Sequence, residues 1–158
     1  QQLMQLAVQV GAAFLGTLSF AILFNVPRKH VFSCGITGAV GWFFYQITMM
    51  VASSTGVATF VATVVLCAMS RLLSVRRRTP TTIFLVCGIF TLVPGASIYY
   101  TAYDLFMGYN QEAMTQGLNT VRLALAIALG ISVVYSLPPS LFGWKEQSPS
   151  EKAQPDEH

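Results

Sequence analysis

Five stretches of about 20 apolar residues follow one another along the chain, and each is long enough to cross a bilayer as a helix. They occupy residues 3–24, 31–51, 56–75, 82–106 and 117–137. This pattern predicts an all-α, polytopic membrane protein with about five transmembrane helices. Charged residues make up only 9% of the chain and hydrophobic residues 54%. That balance excludes most soluble folds and also excludes intrinsic disorder of the whole chain.

The predicted membrane domain covers residues 1–144, with Trp144 as an aromatic anchor at the interface after the fifth stretch. Residues 145–158 are rich in Glu, Lys, Ser, Pro and Gln, which predicts a disordered polar tail. We expect this tail to lie in the cytoplasm.

The positions of Lys and Arg predict the orientation of the chain. Arg28 and Lys29 lie between stretches one and two, and residues 76–78 are all arginines between stretches three and four. The two alternate loops carry neither Lys nor Arg, whereas the tail adds Lys145 and Lys152. Because cytoplasmic loops are enriched in Lys and Arg, we expect an outside N-terminus and a cytoplasmic C-terminus.

Small residues recur at helix-packing spacing in the second and fifth stretches. They are Gly35, Gly38, Gly41, Ala126 and Gly130. In lipid, small side chains let helix backbones approach closely, so these positions predict tight packing inside a bundle. The alternative is that some of them contact a second chain.

Pro94 and Gly95 interrupt the middle of the fourth stretch. Proline has no N–H group and clashes with the carbonyl four residues earlier, so the helix should kink or break there. Backbone groups freed inside a membrane must be satisfied by protein or by a water-filled cavity. The break is therefore a candidate binding site for a polar solute, and a simple packing kink is the alternative.

After this break, Ser97, Tyr100, Thr101 and Asp104 share one helical face. Hydroxyl groups and a carboxylate are costly against lipid, so this face is expected to point inward. A belt of tyrosines at the outer interface is the alternative interpretation.

Asp104 and Arg122 are the opposite charges placed within predicted spans. We expect them to lie at similar depth on neighbouring antiparallel helices, where they could pair. Such a pair could couple to protons, or Arg122, with Asn119 on the same face, could attract a carboxylate. A static structural salt bridge is the alternative. Arg71 lies about one turn from the cytoplasmic end of its span, where snorkelling explains it.

Asn25 and Pro27 end the first span. Pro27 stops the helix, and Asn25 could either cap its carbonyl end or line the inner mouth of a pathway.

The sequence argues against an enzyme. Its two histidines, His30 and His158, form no set with Ser and Asp, and no paired carboxylates, HExxH or Walker motif occurs. The three cysteines lack metal-ligand spacing, so we expect no metal site and no cofactor. The basic residues fall in short loops between apolar runs, so we expect no nucleic-acid partner.

Two ordered motifs, residues 20–27 and 34–41, followed by residues 92–95, resemble the threonine/serine exporter family, and specifically its short membrane subunit. The family pattern often carries a proline where this chain has Thr91. The positions that match the family motifs are Asn25, Pro27, Gly35, Gly38, Pro94 and Gly95.

The resemblance implies a secondary carrier of the bacterial cytoplasmic (inner) membrane that exports small amino acids such as threonine and serine. In split systems the short chain works with a larger partner subunit, and such systems are associated with export of dicarboxylates such as succinate. We therefore expect a hetero-oligomer, a homo-oligomer or both. The alternative is a non-transporting scaffold that assembles or stabilises a partner protein, and a third possibility is an oligomeric channel.

Overall fold

The computed structural model describes residues 2–138, with side chains from Met4 onward. Within this part of the chain every regular element is a helix, as the hydropathy pattern predicts. The helices are α1 (Gln2–Leu23), α2 (Arg28–Ala52), α3 (Thr55–Arg77), α4 (Thr81–Leu92), α5 (Gly95–Met107) and α6 (Asn110–Ser136). The predicted interfacial Trp144 and the predicted tail at residues 145–158 lie outside the described residues.

Four helices are long and apolar enough to cross a membrane, namely α1, α2, α3 and α6. The pair α4 and α5 provides a fifth span if both are counted together, with a bend of 47° between them. The break therefore falls where Pro94 and Gly95 predict it. The fold class expected from the sequence is confirmed.

The last helix begins seven residues earlier than its hydropathy predicts, at Asn110 rather than Gly117. Gly108, with φ 81°, adopts the left-handed conformation that ends α5. Its N–H donates to Leu105 at 3.2 Å, and that of Tyr109 donates to Asp104 at 2.8 Å. Glycine takes this conformation without steric cost. The first turns of α6 are polar, so a hydropathy window misses them.

Helices α1 to α4 form the body of the bundle, with α2 packed against α1, α3 and α4. One buried cluster joins Ala21 of α1, Cys34 of α2 and both Phe84 and Cys87 of α4. A second buried cluster centres on Leu66 of α3 and reaches α4 and α6. These clusters are small because lipid solvates most of the apolar surface, which therefore contributes little drive for helix association.

Glycines bring the helix backbones together in this body. A Cβ atom at Gly38 would overlap the side chain of Thr17 in α1, and one at Gly41 would lie 3.0 Å from Leu66 Cδ1 in α3. Gly35 faces Phe14 in the same way, at 2.7 Å. The small residues of α2 therefore lie where neighbouring helices approach most closely.

Helices α3 and α6 run parallel with a constant offset. Arg122 lies beside Gly56, Gly130 packs on Thr63, and the end of α6 contacts Arg71 further along α3. The first three turns of α6 therefore precede the start of α3. Of the described helices, only α6 packs against α5. Helix α5 and the first three turns of α6 thus form a hairpin, here called the outer hairpin, that extends beyond the bundle.

Candidate functional site

The register of the outer hairpin is fixed by one close contact between its two helices. A Cβ atom at Gly117 of α6 would lie 3.4 Å from Cγ2 of Thr101 in α5. The hydroxyl of Thr101 donates to the Ser97 carbonyl at 2.6 Å, which leaves its methyl group for this contact. These two residues therefore define a common level from which the other polar groups can be placed.

Arg122 lies level with the break between α4 and α5. Counting the same number of residues inward from Gly117 and Thr101 brings Arg122 opposite Ala96, directly after Pro94 and Gly95. Its Nε atom also lies 3.4 Å from the position of a Cβ on Gly56, at the start of α3. The side chain of Arg122 is exposed, and it lies beside the start of α3 at the level of the break.

Two open cavities share Arg122 as a lining residue. One has a volume of about 420 Å³ and is lined by Thr115, Gln116, Leu118, Asn119 and Arg122. The other, of about 380 Å³, is more apolar and includes Gly56, Phe60, Leu125 and Ala126 in its wall. A guanidinium between a polar and an apolar cavity can hold a carboxylate while the rest of a small solute contacts apolar walls.

The break itself has a defined backbone geometry. Pro94 has φ −75° and ψ 56°, and the N–H of Gly95 donates to the Val93 carbonyl at 2.7 Å. These values describe an inverse γ-turn. Because proline has no N–H, the Phe90 carbonyl loses its usual helical donor, and the Gly95 N–H is diverted from Thr91. The carbonyls of Phe90 and Thr91 therefore lose their helical donors, between one and two turns before the level of Arg122.

The expected pairing of Asp104 with Arg122 is wrong for this structure. Within residues 2–138 no ion pair joins these side chains, and Asp104 lies level with Met114, about 12 Å further out along α6 at 1.5 Å per residue. The expectation assumed that the α5–α6 turn lies near residue 113, whereas Gly108 and Tyr109 form it. Asp104 instead lines a separate cavity of about 290 Å³ with Gln111, Glu112, Thr115 and Gln116.

The polar face of α5 is only partly turned inward. Ser97, Thr101 and Asp104 are half-buried on the side of α6, whereas Tyr100 is 51% exposed. Tyr99 is also exposed and stacks on Tyr103 with ring centroids 6.2 Å apart. In the described part of the chain, no helix apart from α6 packs against α5, so these rings are left uncovered.

Asn25 and Pro27 lie away from this region, in the turn between α1 and α2. Asn25 has φ 55° and donates its N–H to Ile22 at 3.0 Å, while Val26 donates to Ala21 at 3.0 Å. This is the Schellman arrangement that ends a helix, and asparagine tolerates the left-handed conformation that it needs. Asn25 therefore ends α1 through its backbone, at the bundle end opposite the start of α3, and a role of its side chain at the mouth of a pathway stays a prediction.

Two sets of hydrogen bonds between helices could not be predicted from hydropathy or residue spacing. Thr17 of α1 and Thr91 of α4 share a hydrogen bond of 2.9 Å one turn before the break. Arg71 donates to the carbonyls of Val134 at 2.6 Å and Leu137 at 3.1 Å, at the end of α6. Both contacts join helices that are far apart in the sequence, so only the tertiary structure could reveal them.

A comparison with known protein families matches residues 9–137 to the model described as threonine/serine exporter, ThrE. The match covers more than half of the chain and includes the break, Arg122 and the outer hairpin. No solved structure matches the chain.

Proposed function

We propose, on the premise that this chain belongs to the threonine/serine exporter family, that it is one subunit of a secondary-active exporter. The exported solute is a small carboxylate-bearing metabolite, either threonine or serine or a succinate-like dicarboxylate. Transport is driven by an ion or solute gradient, since the chain carries no ATP-binding motif.

The position of Arg122 carries this proposal. It lines two cavities at the level of the broken helix. An arginine presents a rigid fork of N–H donors that matches a carboxylate. Asn119, one turn earlier, lines the same polar cavity and can bind a hydroxyl or amino group. Carriers in other folds use broken helices in this way, with backbone groups binding the solute near mid-membrane.

A larger partner subunit completes the proposed exporter. None of the residues of α5 is buried, and this helix carries exposed aromatic side chains such as Tyr99 and Phe106. An aromatic face with helix contact on only one side is suited to a second protein in the membrane.

The cytoplasmic (inner) membrane of a bacterium is the proposed location, with the N-terminus outside. Two turns carry clusters of Lys and Arg, the α1–α2 turn with Arg28 and the α3–α4 turn with Arg76. These two basic turns lie at one end of the bundle. The α5–α6 turn lies at the other end and carries Glu112 but neither Lys nor Arg. Fusing a cytoplasm-active and an exterior-active reporter to each terminus tests this orientation, and an exterior-active C-terminal fusion would contradict it.

Flux through the reconstituted complex tests the proposed function. The chain and its larger partner would be placed in liposomes, and saturable flux of threonine and of succinate would be measured for Arg122→Gln. Losing a charge-assisted hydrogen bond of roughly 1.5–3 kcal/mol should raise the half-saturating concentration by about tenfold or more. Arg122→Lys should give an intermediate value, because it keeps the charge but loses the fork.

A scaffold that only assembles its partner is the alternative, and the exposed surface of α5 also suits that role. If Arg122→Gln changes the amount of complex but leaves flux per complex unchanged, the scaffold interpretation is correct. Flux that does not saturate with solute would instead indicate a channel. Arg76→Gln is the matched control, since it removes one positive charge at the other end of the bundle.

A further inference from the structure

Five exposed cations gather at the end of the bundle opposite the outer hairpin. Arg28 and Lys29 occupy the first turn of α2, and Arg76, Arg77 and Arg78 end α3. The described carboxylates, Asp104 and Glu112, both belong to the outer hairpin at the far end. Within residues 2–138 these cations therefore have no carboxylate close by to neutralise them.

Hydrogen bonds hold the two basic turns together. Thr79, in the turn after α3, shares a bond of 3.2 Å with Nε2 of His30 in the first turns of α2. The same hydroxyl lies 2.9 Å from the carbonyl oxygen of Arg77, and the Ser74 hydroxyl donates to the carbonyl of Thr79. Arg78, with φ 49°, turns the chain so that these bonds can form. The bond between Thr79 and His30 therefore holds the two basic turns side by side.

Two helices also begin at this end. Pro27 precedes α2 and Pro80 precedes α4, and neither helix has a side-chain cap or an acidic residue in its first turn. The first N–H groups of a helix and its positive dipole end attract anions, above all phosphate. The amides at both helix starts thus add to the field of the five cations.

A buried histidine, His30, lies between the two basic turns. It is only 4% exposed, and its Nδ1 atom has no hydrogen-bond partner among the described residues. Unpaired buried polar atoms are rare in native proteins, and an ordered water or an ion is one of the explanations for them. His30 directly follows Arg28 and Lys29 in the chain. Its other ring nitrogen, Nε2, bonds to Thr79 in the second basic turn.

We propose that this end of the bundle, here called the basic end, binds the phosphate group of an anionic phospholipid. Free phosphate offers the same chemistry, but the neighbouring surface favours a lipid. Phe24 is 45% exposed and Phe32 is 64% exposed, and each lies four residues from Arg28 in the chain. Aromatic and apolar side chains next to cations suit acyl chains below a headgroup. The lipid would hold α2 and α4 at their common end.

Thermal unfolding of the purified chain in a nonionic detergent tests the assignment. Short-chain phosphatidylglycerol should raise the unfolding temperature, whereas phosphatidylcholine should not. The protection should weaken as NaCl is added, because the attraction is electrostatic. Equal protection by phosphatidylcholine would overturn the proposal. Equal protection by inorganic phosphate would also overturn it, in favour of a free-anion site.

Variants separate a specific site from a general effect of charge. Arg76→Gln with Arg77→Gln should weaken phosphatidylglycerol binding by about 30-fold, given roughly 1 kcal/mol per cation. The charge-conserving pair Arg76→Lys and Arg77→Lys should bind within a few-fold of the parent chain. Arg122→Gln, which removes a charge far from the basic end, should bind the lipid normally. A loss in Arg122→Gln as large as in the double Gln variant would contradict the proposed location.

Discussion

Nη1 of Arg71 in α3 donates to the backbone carbonyl oxygen of Val134 in α6, at 2.6 Å. The same atom donates to the Leu137 carbonyl at 3.1 Å, and the guanidinium lies 5.2 Å from the ring centre of Tyr135. The last carbonyls of a helix lack intrahelical donors and form its negative dipole end. Arg71 therefore caps α6 from a neighbouring helix, a contact that residue spacing did not predict.

Removing this cap should destabilise the bundle. Arg71→Gln is expected to lower the free energy of unfolding by about 2 kcal/mol, because a charge-assisted bond to the carbonyl of the buried Val134 is lost. Thermal unfolding in detergent micelles measures the change. Arg76→Gln, an exposed arginine on the same helix, should change the unfolding temperature little, and an equal loss in both variants would contradict the capping role.

Gly38 should not tolerate even one added methyl group. A Cβ there overlaps Thr17, whose hydroxyl is held by bonds to Ala13 at 2.7 Å and to Thr91 at 2.9 Å. Gly38→Ala is therefore expected to lose about 1–3 kcal/mol of stability, as overpacked cores do. Gly16→Ala is the control, because nothing lies within 4 Å of its Cβ position.

A second substitution should relieve this clash. Thr17→Ala removes the overlapping atoms, so the double variant Thr17→Ala/Gly38→Ala should be more stable than the sum of the two single losses predicts. The readout is again the unfolding temperature. Strictly additive losses would show that Thr17 does not limit the space beside Gly38.

Exchanging the charges of Asp104 and Arg122 should not rescue transport. Asp104 lies at the level of Met114, about 12 Å from Arg122 along the axis of α6. The two side chains form no ion pair in the described part of the chain. Flux lost in Arg122→Asp should therefore stay lost in the double variant Asp104→Arg/Arg122→Asp. Recovery of flux in the exchanged variant would mean that the pair forms during the transport cycle.

The native thiols should resist a water-soluble maleimide in the folded chain. Cys34, Cys67 and Cys87 are all buried, and buried thiols are unreactive. Mass spectrometry should detect labelling only after the protein has been unfolded in a denaturing detergent. Gln111→Cys, placed at an exposed position of α6, should be labelled in the folded protein and serves as the positive control. Rapid labelling of the parent chain would contradict the packing of the bundle.

Replacing the two residues that separate α4 from α5 should abolish transport without unfolding the protein. Pro94→Ala/Gly95→Ala restores an N–H group and good helix formers, so α4 and α5 should become continuous. We expect unchanged or higher thermal stability and a loss of saturable flux. Pro80→Ala removes a proline at a helix start and should keep its flux. Normal flux in the double variant would show that the break only serves packing.

Hydropathy and proline placement determined most of this fold. Long apolar stretches allow few structures in a bilayer, because every backbone group must be bonded within the segment. Pro94 lacks an N–H group in any surroundings, so the break could be located from the sequence. The polar start of α6 could not, because hydropathy does not distinguish a polar helix from a loop, and Gly108 set the position of the turn.

Residue types alone identified Asp104 and Arg122 as unusual, because charge inside an apolar span is costly in any fold. Whether they meet depends on the register between α5 and α6, which the turn at Gly108 and the contact of Thr101 with Gly117 determine. A shift of a few residues moves a side chain by several ångströms, and ion pairs require close approach. The sequence by itself thus determined which groups must be satisfied, and only the tertiary structure decided which neighbours satisfy them.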